Sequence, residues 1–305
     1  MKLALFLAFI SSTGNWEELL SKKSELRPIE DGASNMNYDF CHEGTRYFLR
    51  QAPPMTKMLY SDMSIEHEVL DKLYPLGLAV KPLHFNPKNS TLVTEYIHHN
   101  DEPINLLDKE TRKAILKQLQ AIEESGISVT RQFRPYKDIL HLVEVISSQA
   151  IDPLPAKFYN TLLPALEQID KILRQNPKKS LCHLDLHHQN VLKSEDRFWI
   201  IDWEYATMSH PLLTLASMAS IERWNDEQML ALLRDYNPTY TDEDWRVLYL
   251  YRIVADIFWT AWNHIQSKVS QRDAPYELWE SLYFKAAMER VMGDTLLHQG
   301  MTERH

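Results

Sequence analysis

The chain has 305 residues, 44% hydrophobic and 25% charged, which suits a globular protein of one or two domains with a sizeable core and argues against disorder. Its formal net charge of −9 disfavours a nucleic-acid-binding surface, which is usually basic, and suits a small cationic substrate. Two cysteines, Cys41 and Cys182, with no CxxC pair, exclude a disulfide framework and a finger-type zinc site and fit a reducing compartment.

Residues 3–10 are an apolar run behind Met1 and Lys2. The run resembles a short signal peptide, but no Ala-x-Ala pattern follows, and it is too short to span a bilayer. Residues 1–14 are therefore expected to pack on the protein as an apolar segment, with an export signal as the alternative. Asn15 caps a short helix over 15–24 that carries Trp16, Leu19 and Leu20 on one face.

Strands are predicted over 26–30, 37–42 and 46–50, the last two joined at Glu43-Gly44 as a hairpin. Residues 64–74 place Ile65, Val69, Leu70 and Leu73 at helical spacing, and 78–85 and 91–97 form a strand pair around Asn86-Pro87-Lys88-Asn89. From Asp108 the pattern turns helical, with helices over 109–125, 137–149 and 156–174; Pro164 kinks or splits the third. No internal repeat or low-complexity tract interrupts the chain.

Residues 181–206 carry the chemistry. Leu181-Cys182 lead into a polar loop holding His183, Asp185 and Asn190, Val191-Leu192 form a short strand, and a turn returns the apolar run 198–201 to deliver Asp202. Phosphoryl transfer asks for this set: one carboxylate to hold the attacking hydroxyl in line and accept its proton, and an amide oxygen with a second carboxylate to hold Mg²⁺. Asp185 fits the first role, Asn190 and Asp202 the second. A rival reading takes His183, Asp185, His187 and His188 as a transition-metal cluster, although two-zinc hydrolases order these residues His-x-His-x-Asp-His and no clear second set of histidines follows. A polar loop of satisfied histidines is the plain alternative.

Thr241 caps a long helix with Asp242, Glu243 and Asp244 in its first turn. Further along, Asp256, Trp259 and Trp262 recur every three residues and can share one face. A quaternary ammonium, which donates no conventional hydrogen bond, needs ring faces and a nearby carboxylate, worth about 0.5–2 kcal/mol per ring. Both tryptophans can equally be core. A last helix over 274–298 brings Tyr276, Trp279, Tyr283 and Phe284, read as core.

The pattern His183-x-Asp185-x-x-x-x-Asn190, followed by Ile201-Asp202-Trp203-Glu204-Tyr205-Ala206, resembles the catalytic and metal-binding loops of the kinase-like phosphotransferases. That family includes aminoglycoside phosphotransferases, choline and ethanolamine kinases and thiamine kinase, and the sequence is most similar to the choline and thiamine kinase branches. The resemblance implies an α+β, protein-kinase-like two-lobed fold. A small β-rich N-lobe over 15–96 would bind nucleotide, and a larger, mainly helical C-lobe over 97–305 would carry catalysis and the acceptor. It also implies ATP and Mg²⁺, a small-molecule acceptor and hence a cytoplasmic setting, with no nucleic acid and no membrane span.

By the same resemblance, Gly32, Ser34 and Asn35 belong to the turn over the nucleotide phosphates, where Asp31 replaces a glycine that would let the backbone approach. Arg50 takes the place of the phosphate-binding base, Glu66 that of its acid partner with Glu68 as competitor, and the backbone of Thr94 and Tyr96 meets adenine. Glu204, two residues past Asp202, is expected to face the cleft and a cationic substrate. Thr214 stands where the family usually carries an aspartate that braces the catalytic loop, so either its hydroxyl replaces that bond or the loop is braced elsewhere. The run 258–270 is similar to the choline kinase segment bearing the ammonium-binding tryptophans, which assigns Asp256, Trp259 and Trp262 to the acceptor. The expected activity is phosphorylation of choline or a related amino alcohol. Thiamine and aminoglycosides are the enzyme alternatives, and a silent nucleotide-binding pseudokinase is the non-enzyme one, suggested by Asp31 and Thr214.

Overall fold

The computed structural model describes residues 26–29, 35–100, 102–195, 197–270, 272–295 and 297. The apolar segment 1–14, the helix expected over 15–24, and Asp31, Gly32 and Ser34 lie outside the described residues.

An antiparallel sheet of five strands comes first, in the order β1 (Arg27–Ile29), β2 (Met36–His42), β3 (Thr45–Gln51), β5 (Thr91–Glu95), β4 (Pro82–Asn86). The β2–β3 hairpin turns on Glu43 and Gly44, both with positive φ (49° and 79°), the geometry that matches strand twist in a two-residue turn. Alternation along β3 then sorts its side chains. Tyr47 and Leu49 join Phe40 and Val93 in a small core on one face, while Phe48 and Arg50 line a cleft on the other. Strand β4 starts later than the spacing predicts, at Pro82, after a 3₁₀ turn at Tyr74–Leu76 that closes through Gly77 (φ 70°).

Helix α1 (Met63–Leu73) is capped by Asp62, whose side chain accepts from the Ser64 N–H at 2.9 Å. Helices α2 (Lys109–Glu124), α3 (Pro135–Ser148) and α4 (Leu163–Leu173) follow. A π turn at Phe158–Leu162 precedes α4, where Pro164 has no N–H for the helical ladder. Helices α5 (Leu212–Ile221) and α6 (Asp226–Tyr236), which the spacing did not single out, lead to α7 (Asp242–Val269) and α8 (Tyr276–Gly293).

The 28-residue α7 starts on a capping box between Thr241 and Asp244 and is buried almost continuously from Val247 to Gln266, packed against α3, α4, α5 and α8. A β-rich first part and a helical second part make up the kinase-like fold. Among the described residues no helix is long and apolar enough to cross a membrane.

Two short ribbons aim the motif. Strand β6 (Ser180–Cys182) pairs with β9 (Thr207–Ser209), and β7 (Val191–Lys193) with β8 (Phe198–Ile200), which sets the loop 183–190 beside the turn 201–206.

Candidate active site

A cleft of about 1010 Å³ opens between the sheet and the helices. Asp185, Asn190, Asp202, Asn35, Arg50, Glu66, Thr94 and Tyr96 all line it. The Asn190 amide nitrogen donates to the Asp185 carbonyl at 2.8 Å and to its carboxylate at 3.3 Å, which leaves the amide oxygen as a hard donor for a cation. The loop is braced from beneath. His183, fully buried, bonds the Ile201 carbonyl through Nε2 at 2.8 Å and packs on the Trp203 ring at 4.5 Å. The Thr214 hydroxyl accepts from the His183 N–H at 3.2 Å, and Ser217 donates to the Leu184 carbonyl. Thr214 thus supplies a hydroxyl bond where the family usually places a carboxylate. Leu184 and Asp202 hold positive φ angles of 62° and 68°, local strain that the surrounding bonds sustain.

Arg50 ties the upper and lower halves together. Its Nη1 meets Glu66 at 2.9 and 3.1 Å and also pairs with Asp202. Glu68, the other acid of α1 that sequence offered, bonds Lys72 at 2.6 Å instead. Two carboxylates, Glu66 and Asp202, therefore hold one guanidinium, with the charges of Glu204 and Asp185 close enough to act on it. Burial, more than any single neighbour, pushes Glu66 up to about 7, and raises Glu204 and, strongly, Asp185, with the Asp202 charge adding to each. Such an excess of buried negative charge, with oxygen donors on Asn190 and Asp202, fits bound divalent cations and phosphate counter-charges.

Two expected site residues are not brought to the cleft. Glu204, 1% exposed, faces inward, where it accepts from Asn35 Nδ2 at 2.8 Å and from the Ser61 hydroxyl at 2.6 Å. The extended i, i+2 reading fails because Trp203–Tyr205 form a 3₁₀ turn, whose period of three places Tyr205, not Glu204, on the side of Asp202. Glu204 therefore clasps Asn35 and Ser61 to the turn 201–206.

Asp256 is fully buried and held by Arg252 Nε at 3.1 and 3.2 Å and by the Ser220 hydroxyl. A shared helix face sets direction but not depth. At about 1.5 Å per residue, Asp256 lies roughly 9 Å below Trp262 along the axis, in the core.

Trp259 and Trp262 do line the cleft, only 4% and 5% exposed. Their rings meet edge to face at 5.4 Å, and Tyr205 meets them at 5.6 and 6.4 Å. Trp279 and Tyr283 of α8, expected in the core, and Asn263 complete this wall. Periodicity marked them as inward-facing, and an aromatic that walls a cavity has the same periodicity as one that fills a core. Phe48, Leu192 and Ile201 supply apolar lining at the sheet end. They too carried no signal beyond their strand pattern.

The profile of the phosphotransferase enzyme family (APH) matches residues 25–251. Protein LicA of Haemophilus influenzae is 24% identical over 266 residues, 81% of this chain and 75% of that protein. The crystal structure of choline kinase LicA from Streptococcus pneumoniae superposes with a TM-score of 0.73 at 22% identity, covering 91% of this chain and 98% of that one. A choline/ethanolamine kinase family protein from Mesorhizobium loti gives 0.72 at 20% identity, covering 99% and 98%. The structural likenesses speak for a shared kinase-like fold, and the profile covers most of the chain. The chain belongs to the phosphotransferase enzyme family.

Proposed function

We propose that this phosphotransferase is an ATP- and Mg²⁺-dependent kinase that phosphorylates the hydroxyl of choline or a closely related amino alcohol. The observation that carries the reading is the aromatic wall of Tyr205, Trp259, Trp262, Trp279 and Tyr283 in the same cleft as Asp185. Asn190 and Asp202 would hold Mg²⁺, which when bound neutralises the triphosphate and its developing charge. Asp185 orients the acceptor hydroxyl and accepts its proton, a task favoured by a carboxyl whose burial raises its basicity. Arg50, fixed by Glu66, grips phosphate oxygens, and the strand end at Thr94 and Tyr96 offers backbone groups to adenine. The ring faces bind the ammonium, where no carboxylate of α7 reaches the cleft.

A second reading, an acceptor that donates hydrogen bonds such as ethanolamine or thiamine, is favoured by one atom. Asn263 Oδ1 is buried in the pocket wall with no partner among the described residues. ATP consumption with Mg²⁺ across choline, ethanolamine, thiamine and one aminoglycoside separates the readings. A choline-dependent rate that Asp185→Asn abolishes, with ATP binding retained, supports the proposal. A rate on thiamine alone would reassign the rings to stacking. Turnover unimpaired in Asp185→Asn would refute the catalytic assignment, and nucleotide binding without turnover on any acceptor would favour a pseudokinase.

A further inference from the structure

The run of histidines around the catalytic loop divides in two. His183 is consumed by the Ile201 carbonyl and the Trp203 ring. His187 and His188 instead converge on Glu222, which caps the C-terminal end of α5. We infer that His187, His188 and Glu222 form a binding site for a zinc-class divalent cation at the rim of the acceptor pocket, separate from the acid cluster that serves the phosphates.

The three residues are already gathered, and a rotation of the His187 ring would bring its nitrogen in from the distance that now separates it. One ligand atom from each of the three residues lies within 4.8 Å of the others. His188 Nδ1 is 2.8 Å from Glu222 Oε1, and the two imidazole rings stand 5.7 Å apart at 80°. Two ligands of a tetrahedral zinc ion, each about 2.0–2.1 Å from the metal, are about 3.3 Å apart, so the His188–Glu222 pair need open by only a few tenths of an ångström.

Backbone fixes the arrangement in advance. His187 is extended (φ −151°, ψ 176°) just before the 3₁₀ turn His188–Asn190, and the His188 N–H donates to Glu222 Oε1 at 2.7 Å. The loop and the helix end are thus tied together without the metal. The His188 and Glu222 side chains are 49% and 17% exposed, which gives an ion an entry path and leaves room for a solvent ligand.

The donor set selects the cation. Two imidazoles and one carboxylate suit zinc and its late first-row neighbours, whereas Mg²⁺ prefers oxygen alone. His187 lines the cleft with Asp185 and Arg223, so the ion would place two positive charges where a cationic acceptor enters. That consequence rests on the kinase reading, but the binding does not.

The test is a titration of the tag-free full chain with Co²⁺, in buffer without nucleotide or acceptor, followed by visible absorption. A saturable tetrahedral band that Zn²⁺ displaces is expected. His188→Ala and Glu222→Gln should each weaken it at least about tenfold, since even outer-sphere losses at metal sites reach that size. Metal-free thermal unfolding of both variants should stay close to the parent, because the His188 side chain is half exposed and a glutamine at 222 keeps an Oε1 to accept from the His188 N–H. Absence of a tetrahedral band in the parent, or a band unchanged in both variants, would overturn the inference. Neither outcome depends on catalysis, so failure here is distinguishable from failure of the kinase reading.

Discussion

The aromatic wall is best probed by a change that keeps the position apolar and removes the π face, with a neutral ligand of the same shape to separate lost charge recognition from lost volume. Trp262→Leu leaves an apolar group where a ring now meets Trp259 at 5.4 Å and Tyr205 at 6.4 Å. Because Trp262 is only 5% exposed, its contact with an ammonium would be largely desolvated. The upper part of the cation–π range applies there, about 1–2 kcal/mol, which corresponds to roughly a 5- to 30-fold rise in choline KM. The assay pairs choline with its neutral isostere 3,3-dimethylbutan-1-ol, which has the same shape without the charge. Choline KM should rise by that factor while inhibition by the isostere changes much less. Equal losses for both ligands would show that the ring is only an apolar wall, and an unchanged choline KM would remove it from the acceptor site.

Three further outcomes follow from the same geometry. Asp256→Asn strands the buried Arg252 guanidinium and should cost about 3–5 kcal/mol in urea unfolding while leaving acceptor KM unchanged; a selective rise in KM would return Asp256 to the acceptor site. Thr214→Val leaves the buried His183 N–H without its acceptor, so stability should fall by about 1–3 kcal/mol and kcat should drop with little change in ATP KM, whereas Thr214→Ser should behave like the parent. If valine and serine act alike, the hydroxyl does not brace the loop.

His210 supplies a pH test away from the candidate metal ligands. Burial, with Lys178 nearby, lowers it to about 4 from 6.5, opposed by Asp244, and its Nδ1 accepts from the Leu212 N–H at 3.2 Å. The unfolded chain therefore holds the extra proton between pH 4 and 6.5. The contribution of His210, up to about 3 kcal/mol, is present above that window and lost as pH falls through it. His210→Asn should flatten the acid side of the thermal-stability profile, and an unchanged slope would place the acid sensitivity elsewhere.

The candidate site was legible in sequence where it is local. Asp185, Asn190 and Asp202 fall within one ribbon-bearing stretch, and strand alternation together with short turns suffices to place them side by side. The Glu43-Gly44 hairpin and the Thr241 cap were readable for the same reason, since both depend on contacts a few residues apart. Arg50 and Glu66 could be paired only by resemblance to a known family, and it is the packing of α1 against the β4–β5 side of the sheet that presents Glu66 rather than Glu68 to Arg50.

Glu204 and Asp256 show the limit most clearly. Both sit at spacings that point toward the cleft, yet a 3₁₀ turn rotates one away and a displacement of roughly 9 Å along the helix axis buries the other. Trp279, Tyr283 and Glu222 reach the cleft or its rim from segments far from the motif, and only the stacking of α5, α7 and α8 decides that they do. Spacing along one chain fixes which residues share a local face. How deep that face lies, and which distant side chains meet it, is set by how the helices pack.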